Sequence, residues 1–470
     1  MRFSISELAA RLGGEQVGPD VTVTGASIDT RTLLPGQLYV PIVADRDGHE
    51  FISAALDAGA PAYLTEQSPV GGTAVVVADT AVSLLDLGHL ARECMGGGVV
   101  GITGSVGKTT TKDLLRACLA SSFRVAASER SFNNELGLPL TLLNAADDVE
   151  WVVLEMGARG EGHITRLTDV GRPDVGIVTS VAMAHVEYFG DLEGVARAKS
   201  ELVRALPPAG VAVLNADDPL VAGMASISPC PVLRFAVDTR ADVRAERIVL
   251  DEELRPRFRM ATPWGTADVA LALHGIQQVP NALAASAAAL WCGSPIEGVV
   301  EALGAAAGSP LRMEVRRIPN GPVLLVDCYN ANPASTEAAL RSMAALPDGR
   351  KVALLGLMAE LGSDTEAEHT RMARLAEDLG IEVVGYQTAL YGAVEASSID
   401  DAAALLLSLG PGDAALVKGS RVTRLEDVVQ RYTDATTGSG TAYLRSSERE
   451  RADTPSGGPA PTSTRRDSSP

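Results

Sequence analysis

Short apolar runs alternate with amphipathic stretches along most of this 470-residue chain, which is the pattern of strands and covering helices. In the middle of the chain these runs read VVGIT, WVVLEMG, DVGIVTSV and GVAVLNAD. After residue 322 they read VLLVDC, KVALLGL, EVVGY and AALVKG. Continuous apolar runs of this length are typical of parallel strands that are buried on both faces. The pattern therefore predicts an α/β protein built on parallel sheets.

Breaks in composition divide the chain into four segments. Residues 1–95 are expected to form a small α/β unit, and residues 96–308 a central unit with an antiparallel insertion from about 232 to 273. Residues 309–434 are expected to form a third α/β unit. Residues 435–470 are rich in Ser, Thr, Gly, Pro and Arg, which predicts a disordered tail.

The stretch VVGITGSVGKTTTKDLL, residues 99–115, predicts a phosphate-binding loop. An apolar strand enters a glycine-rich turn, which ends at Gly107-Lys108-Thr109 and opens into a helix. Glycines let backbone N–H groups converge on phosphate oxygens at the positive end of a helix. Lys108 can reach the β- and γ-phosphates, and the Thr109 hydroxyl can ligate Mg²⁺. The loop predicts binding of ATP or GTP and leaves the use of the nucleotide open.

Polar residues follow several of the predicted strands. Glu155 ends the strand WVVLE, His185 follows GIVTSV, and Asp327 ends VLLV before the sequence CYNANP. The carboxyl ends of parallel strands are where α/β domains bind ligands. Glu155 is therefore a candidate Mg²⁺ ligand, although a solvated charge at the end of a strand is an equally simple interpretation.

Lysine is scarce, since only five lysines contribute to the 40 basic residues of the chain. An amine can lose its proton or act as a nucleophile, whereas a guanidinium cannot. Lys108 belongs to the phosphate loop, and we interpret Lys112 and Lys351 as solvated charges. Lys199, in a helical pattern, and Lys418, after the strand AALV, are candidates for chemistry that requires an amine.

Composition also limits the partners of the chain. The formal net charge of −19 argues against nucleic acid and anionic membrane surfaces, because both attract basic faces. The five cysteines are dispersed without a Cys-x-x-Cys motif, as expected in a reducing cytosol. No apolar run approaches the roughly 20 residues that span a bilayer, and the N-terminus lacks a signal-peptide pattern. We expect a cytoplasmic monomer without integral membrane contact.

Collinear motifs between about residues 20 and 432 resemble the Mur ligase family. They include GITGSVGKTTTKDLL, LEMGARGEGHI, AHVEYFGDLEGVARAKSEL, DCYNANPAS and VKGSR. The resemblance implies a UDP-sugar-binding domain, a central P-loop parallel-sheet domain and a Rossmann-like C-terminal ligase domain. The DCYNANP motif resembles the members that join D-alanyl-D-alanine to UDP-N-acetylmuramoyl-tripeptide in peptidoglycan precursor synthesis. The implied reaction uses ATP to form an acyl phosphate, which the dipeptide amine then attacks.

The resemblance also implies site residues. One Mg²⁺ is expected at Thr109 and Glu155, and a second at His185 and a carbamylated Lys199, so that Lys108, Lys199, His185 and Glu155 are the expected catalytic residues. The expected nucleotide contacts are Gly104, Ser105, Val106, Gly107, Lys108, Thr109, Thr110, Asn281, Arg312 and Asp327. The expected UDP-sugar contacts are Ser27, Asp29, Thr30, Arg31, Asp47, Gly48 and His49. Further substrate contacts are expected at Asn133, Asn134, Tyr329, Asn330, Lys418 and Ser420, the last two for the incoming amine.

Two alternatives stay open. The chain could be a Mur-type ligase with another acceptor, such as D-Ala-D-lactate or a specialised-metabolite amine. It could also be a nucleotide-hydrolysing regulatory switch, which would leave Lys199 and the motifs SIDTR and DGHEF without a function. The sequence does not distinguish diaminopimelate from lysine as the third peptide residue.

Overall fold

The computed structural model describes residues 1–128, 132–182, 189–347 and 349–437. Within these ranges, helices and strands alternate and the strands form three main sheets, most of whose neighbouring strands run parallel. The predicted α/β class is confirmed. No helix in the described part of the chain is long and apolar enough to cross a membrane.

The first sheet lies near the N-terminus and runs in the order β2-β7-β6-β5-β4. Its strands are β2 (Glu15–Val17), β4 (Ala26–Ser27), β5 (Leu38–Tyr39), β6 (Ala62–Thr65) and β7 (Thr73–Val76), while β1 (Arg2–Ser4) pairs separately with β3 (Thr22–Thr24). The accompanying helices are α1 (Ile5–Leu12), α2 (Ile52–Asp57) and α3 (Thr80–Cys94). Strands β4 and β5 are parallel, so the loops that follow them meet at one edge of the sheet.

The central sheet has the order β16-β15-β14-β13-β12-β11-β8-β10-β9 in the described residues. Its strands are β8 (Gly98–Thr103), β9 (Val125–Ala127), β10 (Trp151–Glu155), β11 (Val175–Val178), β12 (Val211–Asn215), β13 (Val232–Ala236), β14 (Val243–Leu250), β15 (Pro256–Thr262) and β16 (Gly265–Ala270). Strand β13 pairs in parallel with β12 and β14, so the predicted antiparallel insertion is confined to β14–β16.

Helices of this unit cover the sheet and carry several of the predicted site residues. They are α4 (Lys108–Ala120), α5 (Gly137–Leu143), α6 (His163–Gly171), α7 (Leu192–Arg204), α8 (Pro219–Gly223), α9 (Gln278–Trp291) and α10 (Ile296–Ala305). Helix α9 is rich in alanine and buried along nearly its whole length, where it packs against α4. Small side chains let the two helices approach closely, which brings the start of α9 to the phosphate loop.

Helix α3 joins the N-terminal unit to the central one through a shared core. Its Leu84 and Leu87 lie in the same hydrophobic cluster as Leu138 of α5 and Val170 of α6. At its end, the Arg92 guanidinium donates to the Gly171 carbonyl. The two units are therefore packed as one body along α3.

The third sheet runs in the order β17-β18-β22-β19-β20-β21 within the described residues. Its strands are β17 (Glu314–Arg317), β18 (Val323–Asp327), β19 (Lys351–Leu355), β20 (Glu382–Tyr386), β21 (Val394–Ala396) and β22 (Ala414–Lys418). Its helices are α11 (Pro333–Ala344), α12 (Thr365–Asp378), α13 (Ile399–Leu407) and α14 (Leu425–Thr437). Helix α14 extends three residues beyond the predicted end of this unit at 434.

Alternate residues of the third sheet pack against helices on its two faces. One hydrophobic cluster joins the sheet to α11 and α12, and the other joins it to α13 and α14. This doubly wound arrangement is the Rossmann-like architecture expected for the third unit. The loops after β18, β22 and β19 leave the sheet side by side at its carboxyl edge, because these strands are adjacent and parallel.

Candidate active site

The phosphate loop lies between β8 and α4, as the sequence predicts. Gly107 has a φ of 87° at the start of α4, and a Cβ there would collide with the Asn281 side chain. The loop is also bonded to the segment after β11, since Val106 N donates to Ser180 Oγ at 3.0 Å and Ser105 Oγ donates to the Ala182 carbonyl at 2.9 Å. These hydrogen bonds fix the loop against the segment after β11, and only glycine fits at residue 107.

Thr109 and Glu155 meet at the carboxyl edge of the central sheet. Thr109 Oγ1 donates to Glu155 Oε2 at 2.8 Å, and Asn133 Nδ2 donates to Glu155 Oε1 at 3.0 Å. Neighbouring oxygens around an octahedral Mg²⁺ lie about 3 Å apart, given ligand distances of about 2.1 Å. The positions of the hydroxyl and the carboxylate therefore fit one Mg²⁺.

Lys108 lies at the floor of the loop. Its Nζ donates to the Gly104 carbonyl at 2.7 Å. Burial lowers the pKa of Lys108, with Glu155 opposing and Arg312 reinforcing that shift. The amine is thus preorganised where phosphate oxygens would replace the carbonyl as its partner.

Lys199 points its amine into the same cavity from helix α7. The side chain is 6% exposed, and burial together with the Lys108 ammonium lowers the pKa of Lys199 to about 7. Much of this amine is therefore neutral near pH 7, as carbamylation requires. The expected metal partner of Lys199, His185, lies outside the described residues. Within the described residues, no group of three or more His, Cys, Asp or Glu side chains could hold a metal ion.

Asn281 packs at the back of the phosphate loop. It is 9% exposed, and its Nδ2 donates to Gln278 Oε1 at 2.9 Å. Thr111 Oγ1 lies 3.4 Å from Asn281 Oδ1. Helix α9 thus closes one wall of the cavity, and the predicted nucleotide residue Asn281 lines it.

Arg312 reaches the phosphate loop from the third unit. Its Nη2 donates to Thr109 Oγ1 at 3.0 Å, and its Cζ lies 4.2 Å from the centroid of the Tyr329 ring. Ser309 also donates to Asp113 on helix α4. The third unit is therefore docked against the central one, with a cation beside the group that would hold Mg²⁺.

Three strand-end loops of the third unit are bonded to one another. Lys418 Nζ lies 2.5 Å from Asp327 Oδ2 and donates to the Asn330 carbonyl at 3.1 Å. Ser420 Oγ accepts from Ala359 N at 2.9 Å. Lys418 and Ser420 are 1% and 3% exposed, so these two predicted amine contacts hold loops together, whereas Asn330 is exposed to the cavity.

The two asparagines before α5 differ in their surroundings. Asn133 holds Glu155, as described above. Asn134 Oδ1 accepts from the backbone N–H of Gly137, the first residue of α5, at 3.0 Å, while the Asn134 side chain stays exposed at the cavity.

The predicted UDP-sugar residues lie apart from the cavity, at the edge where β4 and β5 end. Burial raises the pKa of Tyr39 to about 12, and the nearby carboxylates of Asp29 and Asp47 add to that shift. His49 is buried, with Nδ1 2.6 Å from Asp47 Oδ1 and Nε2 accepting from Glu66 N at 3.2 Å.

The remaining members of this group complete the same edge. Arg31 is paired with Asp29 at 2.6 Å, and Thr30 lies between these two residues in the chain. Ser27 Oγ donates to the Asp29 carbonyl. Tyr39 donates to the Gly48 carbonyl at 2.9 Å. Gly48 is packed against the Ile42 backbone, where a Cβ would not fit. The structure brings the motifs SIDTR and DGHEF together around Tyr39, a proximity that the apolar strand context of Tyr39 did not indicate.

A cavity of about 430 Å³ lies between the central and third units. Its volume is in the range of small-molecule sites. The sequence prediction missed several of its lining residues, which are Glu135, Arg159, His163, Gln277, Gln278, Asn332, Ser335 and Glu360. Arg159 and His163 stand in the motif LEMGARGEGHI, so their proximity to Glu155 in the chain was the available signal.

Lys112 is not the solvated charge that the sequence suggested. Its side chain is 3% exposed, and its Nζ donates to the Ser128 carbonyl at 2.8 Å. Ser128 Oγ in turn accepts from Glu155 N at 3.2 Å. Lys112 therefore supports the strand end that carries Glu155, because α4 is packed over β10 rather than exposed.

Comparison with known proteins gives concordant matches. Residues 102–289 match the Mur ligase middle domain, and residues 311–421 match the Mur ligase glutamate ligase domain. UDP-N-acetylmuramoyl-tripeptide--D-alanyl-D-alanine ligase of Mycobacterium tuberculosis is 37% identical over 93% of this chain and 99% of its own length.

Solved structures agree with these matches. Crystal structure I of MurF from Acinetobacter baumannii has a TM-score of 0.85 and 28% identity, over 92% of this chain and 99% of that one. MurF ligase from Thermotoga maritima in complex with ADP has a TM-score of 0.79 and 26% identity, over 88% of this chain and 98% of that one. The expected three-domain architecture is therefore confirmed.

Proposed function

This chain belongs to the Mur ligase family, and from that premise we propose that it joins D-alanyl-D-alanine to UDP-N-acetylmuramoyl-tripeptide at the expense of ATP. The Mycobacterium tuberculosis relative carries that activity in its name, and the match extends over nearly the full length of both chains. The product is a peptidoglycan precursor.

The chemistry requires an activated carboxylate. Transfer of the γ-phosphoryl group of ATP to the terminal carboxylate of the tripeptide gives an acyl phosphate and ADP. The free amine of D-alanyl-D-alanine then attacks the acyl carbon, phosphate leaves, and the amine loses a proton as the amide forms. Phosphorylation makes the carboxylate oxygen a good leaving group, which it is not in the free acid.

The residues of the cavity suit the first step. Lys108 and the phosphate loop would bind the phosphates, and Arg312 would add positive charge from the opposite wall. Thr109 and Glu155 would hold one Mg²⁺, and Lys199, as a carbamate, would hold a second with His185. When bound, Mg²⁺ would neutralise charge on the transferring phosphoryl group.

The other two substrates would approach from different sides. The edge formed by the residues around Asp29 and Asp47 is proposed to bind the UDP-sugar, and Asn330 with its neighbouring loops is proposed to receive the dipeptide. We further propose that the enzyme acts in the cytoplasm. We also propose that it acts as a monomer, because one chain supplies both walls of the cavity.

One observation supports a ligase more than any other. Arg312 of the third unit donates to Thr109 in the phosphate loop, while Thr109 donates to Glu155. The nucleotide site is therefore completed by the unit that carries the proposed acceptor loops. A switch that only hydrolyses nucleotide has no need of this arrangement.

Ligation by the purified protein tests the proposal. We expect ATP, Mg²⁺ and UDP-N-acetylmuramoyl-tripeptide to yield a product that is heavier by one D-alanyl-D-alanine residue pair, measured by mass spectrometry. Parallel reactions with D-alanyl-D-lactate, and with tripeptides ending in diaminopimelate or lysine, define the specificity. Lys108→Met should abolish product, whereas Lys351→Met, which lies outside the cavity, should not.

Two outcomes would contradict the proposed reaction. Product with another acceptor and none with D-alanyl-D-alanine would assign the chain a different acceptor within the same family. Phosphate release that does not depend on the UDP-linked tripeptide would favour the regulatory switch.

A further inference from the structure

The segment between α10 and β17, residues 306–313, leads into the third unit and has an unusual backbone around Arg312. Leu311 and Met313 have φ values of 63° and 49°, although neither is glycine. Left-handed residues of this kind are costly, and they persist where the surrounding structure fixes them, often at functional sites. Leu311 and Met313 flank Arg312, whose side chain reaches Thr109.

The segment after β18 fixes this backbone on both sides of Arg312. Tyr329 N donates to the Leu311 carbonyl at 3.1 Å, and Met313 N donates to Asp327 Oδ1 at 3.1 Å. Asp327 is itself held by the buried Lys418 ammonium. The two hydrogen bonds therefore determine where the Arg312 side chain begins.

The Tyr329 ring fixes where the same side chain ends. The guanidinium carbon lies 4.2 Å from the ring centroid, within the range of a cation–π contact. Arg312 then donates to Thr109 Oγ1, whose own hydrogen is directed at Glu155. Thr109 Oγ1 thus accepts from Arg312 and donates to Glu155, so the guanidinium is held between the Tyr329 ring and Thr109.

We propose that Tyr329 is a positioning residue for Arg312, so that acyl-phosphate formation depends on the stack between the Tyr329 ring and the Arg312 guanidinium. This inference rests on the proposed ligase function and deepens it. It differs from the sequence expectation, in which Tyr329 contacts a substrate directly. Through this stack, phosphoryl transfer would be efficient only while the third unit is docked.

Trapping the acyl phosphate separates the two interpretations. With ATP, Mg²⁺ and UDP-N-acetylmuramoyl-tripeptide but no dipeptide, hydroxylamine attacks the acyl carbon to give a hydroxamate and phosphate. We expect Tyr329→Leu to slow hydroxamate formation about 10-fold or more, because the cation loses its π face. Tyr329→Phe keeps the ring and should remain within about 2-fold of the unmodified enzyme. The KM for D-alanyl-D-alanine in full ligation should not change in either variant.

A double-mutant cycle tests whether Tyr329 acts through Arg312. If it does, Tyr329→Leu should have no further effect on hydroxamate formation in an Arg312→Ala background. Arg312→Lys should also be slow, because an ammonium stacks on the ring less well than a planar guanidinium. Circular dichroism of each variant checks its fold. If Tyr329→Leu does not fold, the comparison of Tyr329→Phe with the unmodified enzyme and the Arg312→Lys variant still test the stack.

The outcomes separate failure of the inference from failure of the proposed function. If the unmodified enzyme forms hydroxamate and Tyr329→Leu matches it, the positioning role is wrong and the ligase function stands. A raised dipeptide KM with unchanged trapping would assign Tyr329 to the acceptor site. If the unmodified enzyme forms neither hydroxamate nor ligated product, the proposed function and this inference both fail.

Discussion

At the scale of residues, the few lysines of this chain are held by the fold rather than spread over its surface. Lys108, Lys112 and Lys418 each donate to a backbone carbonyl, and Lys351 donates to the Ala344 and Leu346 carbonyls at the end of α11. Lys199 is buried at the cavity. Scarcity of lysine in an arginine-rich chain therefore marks positions that need a compact amine, whether for structure or for chemistry.

We predict that Lys199→Met abolishes ligation and stabilises the fold. Loss of a carbamate ligand should reduce the ligation rate by about 100-fold or more. The apolar side chain also removes a buried amine, so the thermal midpoint should rise. In the protein with Lys199 as a free amine, the lowered pKa means that the unfolded chain binds more protons between about pH 7 and 10.5. The stability of that form should therefore increase with pH across this window.

Lys351→Met is the matched control for this prediction. It removes two hydrogen bonds outside the cavity, so it should lower the thermal midpoint and leave the ligation rate unchanged. Ligation by Lys199→Met at the rate of the unmodified enzyme would exclude a role for this amine in the reaction.

A second prediction concerns Gly107, which can be compared with Gly162. Both begin a helix with a left-handed backbone, at φ of 87° and 85°, but an added Cβ meets Asn281 at Gly107 and nothing within 4 Å at Gly162. Gly162→Ala should cost about 1 kcal/mol of stability without loss of nucleotide affinity. Gly107→Ala should weaken ATP binding at least about 10-fold, measured by calorimetric titration. Equal ATP affinity in both variants would show that the contact with Asn281 is unimportant.

At the scale of elements, the strand-end loops of the third unit depend on the helices packed beneath them. His369 of α12 is buried, and its Nε2 accepts from Met358 N at 2.9 Å in the loop after β19. Its Nδ1 lies 2.6 Å from the Thr365 carbonyl, which makes Nδ1 the protonated nitrogen. A neutral imidazole thus connects the start of α12 to the loop that carries Glu360 into the cavity.

We predict that this connection weakens in acid. Burial lowers the pKa of His369 below its usual 6.5, so the unfolded chain binds more protons as the pH falls below that value, and stability is lost. A protonated ring can no longer accept from Met358 N. Urea unfolding between pH 7.5 and 5 should show this loss, and His369→Gln should show a flatter dependence on pH. Parallel slopes in the two proteins would contradict the assignment.

At the scale of the whole molecule, the cavity exists because the central and third units are docked. Around the cavity they are joined by contacts from Arg312 to Thr109, from Ser309 to Asp113, and from Ser342 Oγ to Gln277 Oε1 at 2.9 Å. Away from it, Arg317 Nη2 donates to the Glu252 carbonyl at 2.8 Å. Each unit brings the carboxyl edge of its own parallel sheet to this interface. The groups proposed for phosphoryl transfer thus come from two different sheets.

The end of the third unit gives a prediction at the same scale. Tyr432 of α14 is 2% exposed in the core between α14 and its sheet, and α14 extends to Thr437. A chain ending at Thr437 should keep the thermal midpoint and ligation rate of the full protein, since the sequence predicts disorder beyond it. A chain ending at Gln430 loses the Tyr432 anchor and should unfold at a lower temperature. Loss of ligation in the chain that ends at Thr437 would show that the residues after it take part in function.

Much of the site was determined by sequence. The glycines, Lys108 and Thr109 form the predicted loop, because a strand, a turn and a helix in immediate succession leave the backbone few alternatives. Glu155 lies where a strand end in the same sheet must bring it. The parallel sheets followed from long apolar runs, which stay buried only when helices cover both faces.

Tertiary structure alone decided which side chains were free to react. Lys112 was interpreted from the sequence as a solvated charge and Lys418 as a contact for the incoming amine, yet both are buried because helices and loops from distant segments pack over them. Arg312 lies about 200 residues from Thr109 in the chain, so no local pattern could pair them. Their contact depends on how the central and third units dock. Docking is determined by the surface that the two units bury against each other, and the periodicity of the sequence does not predict it.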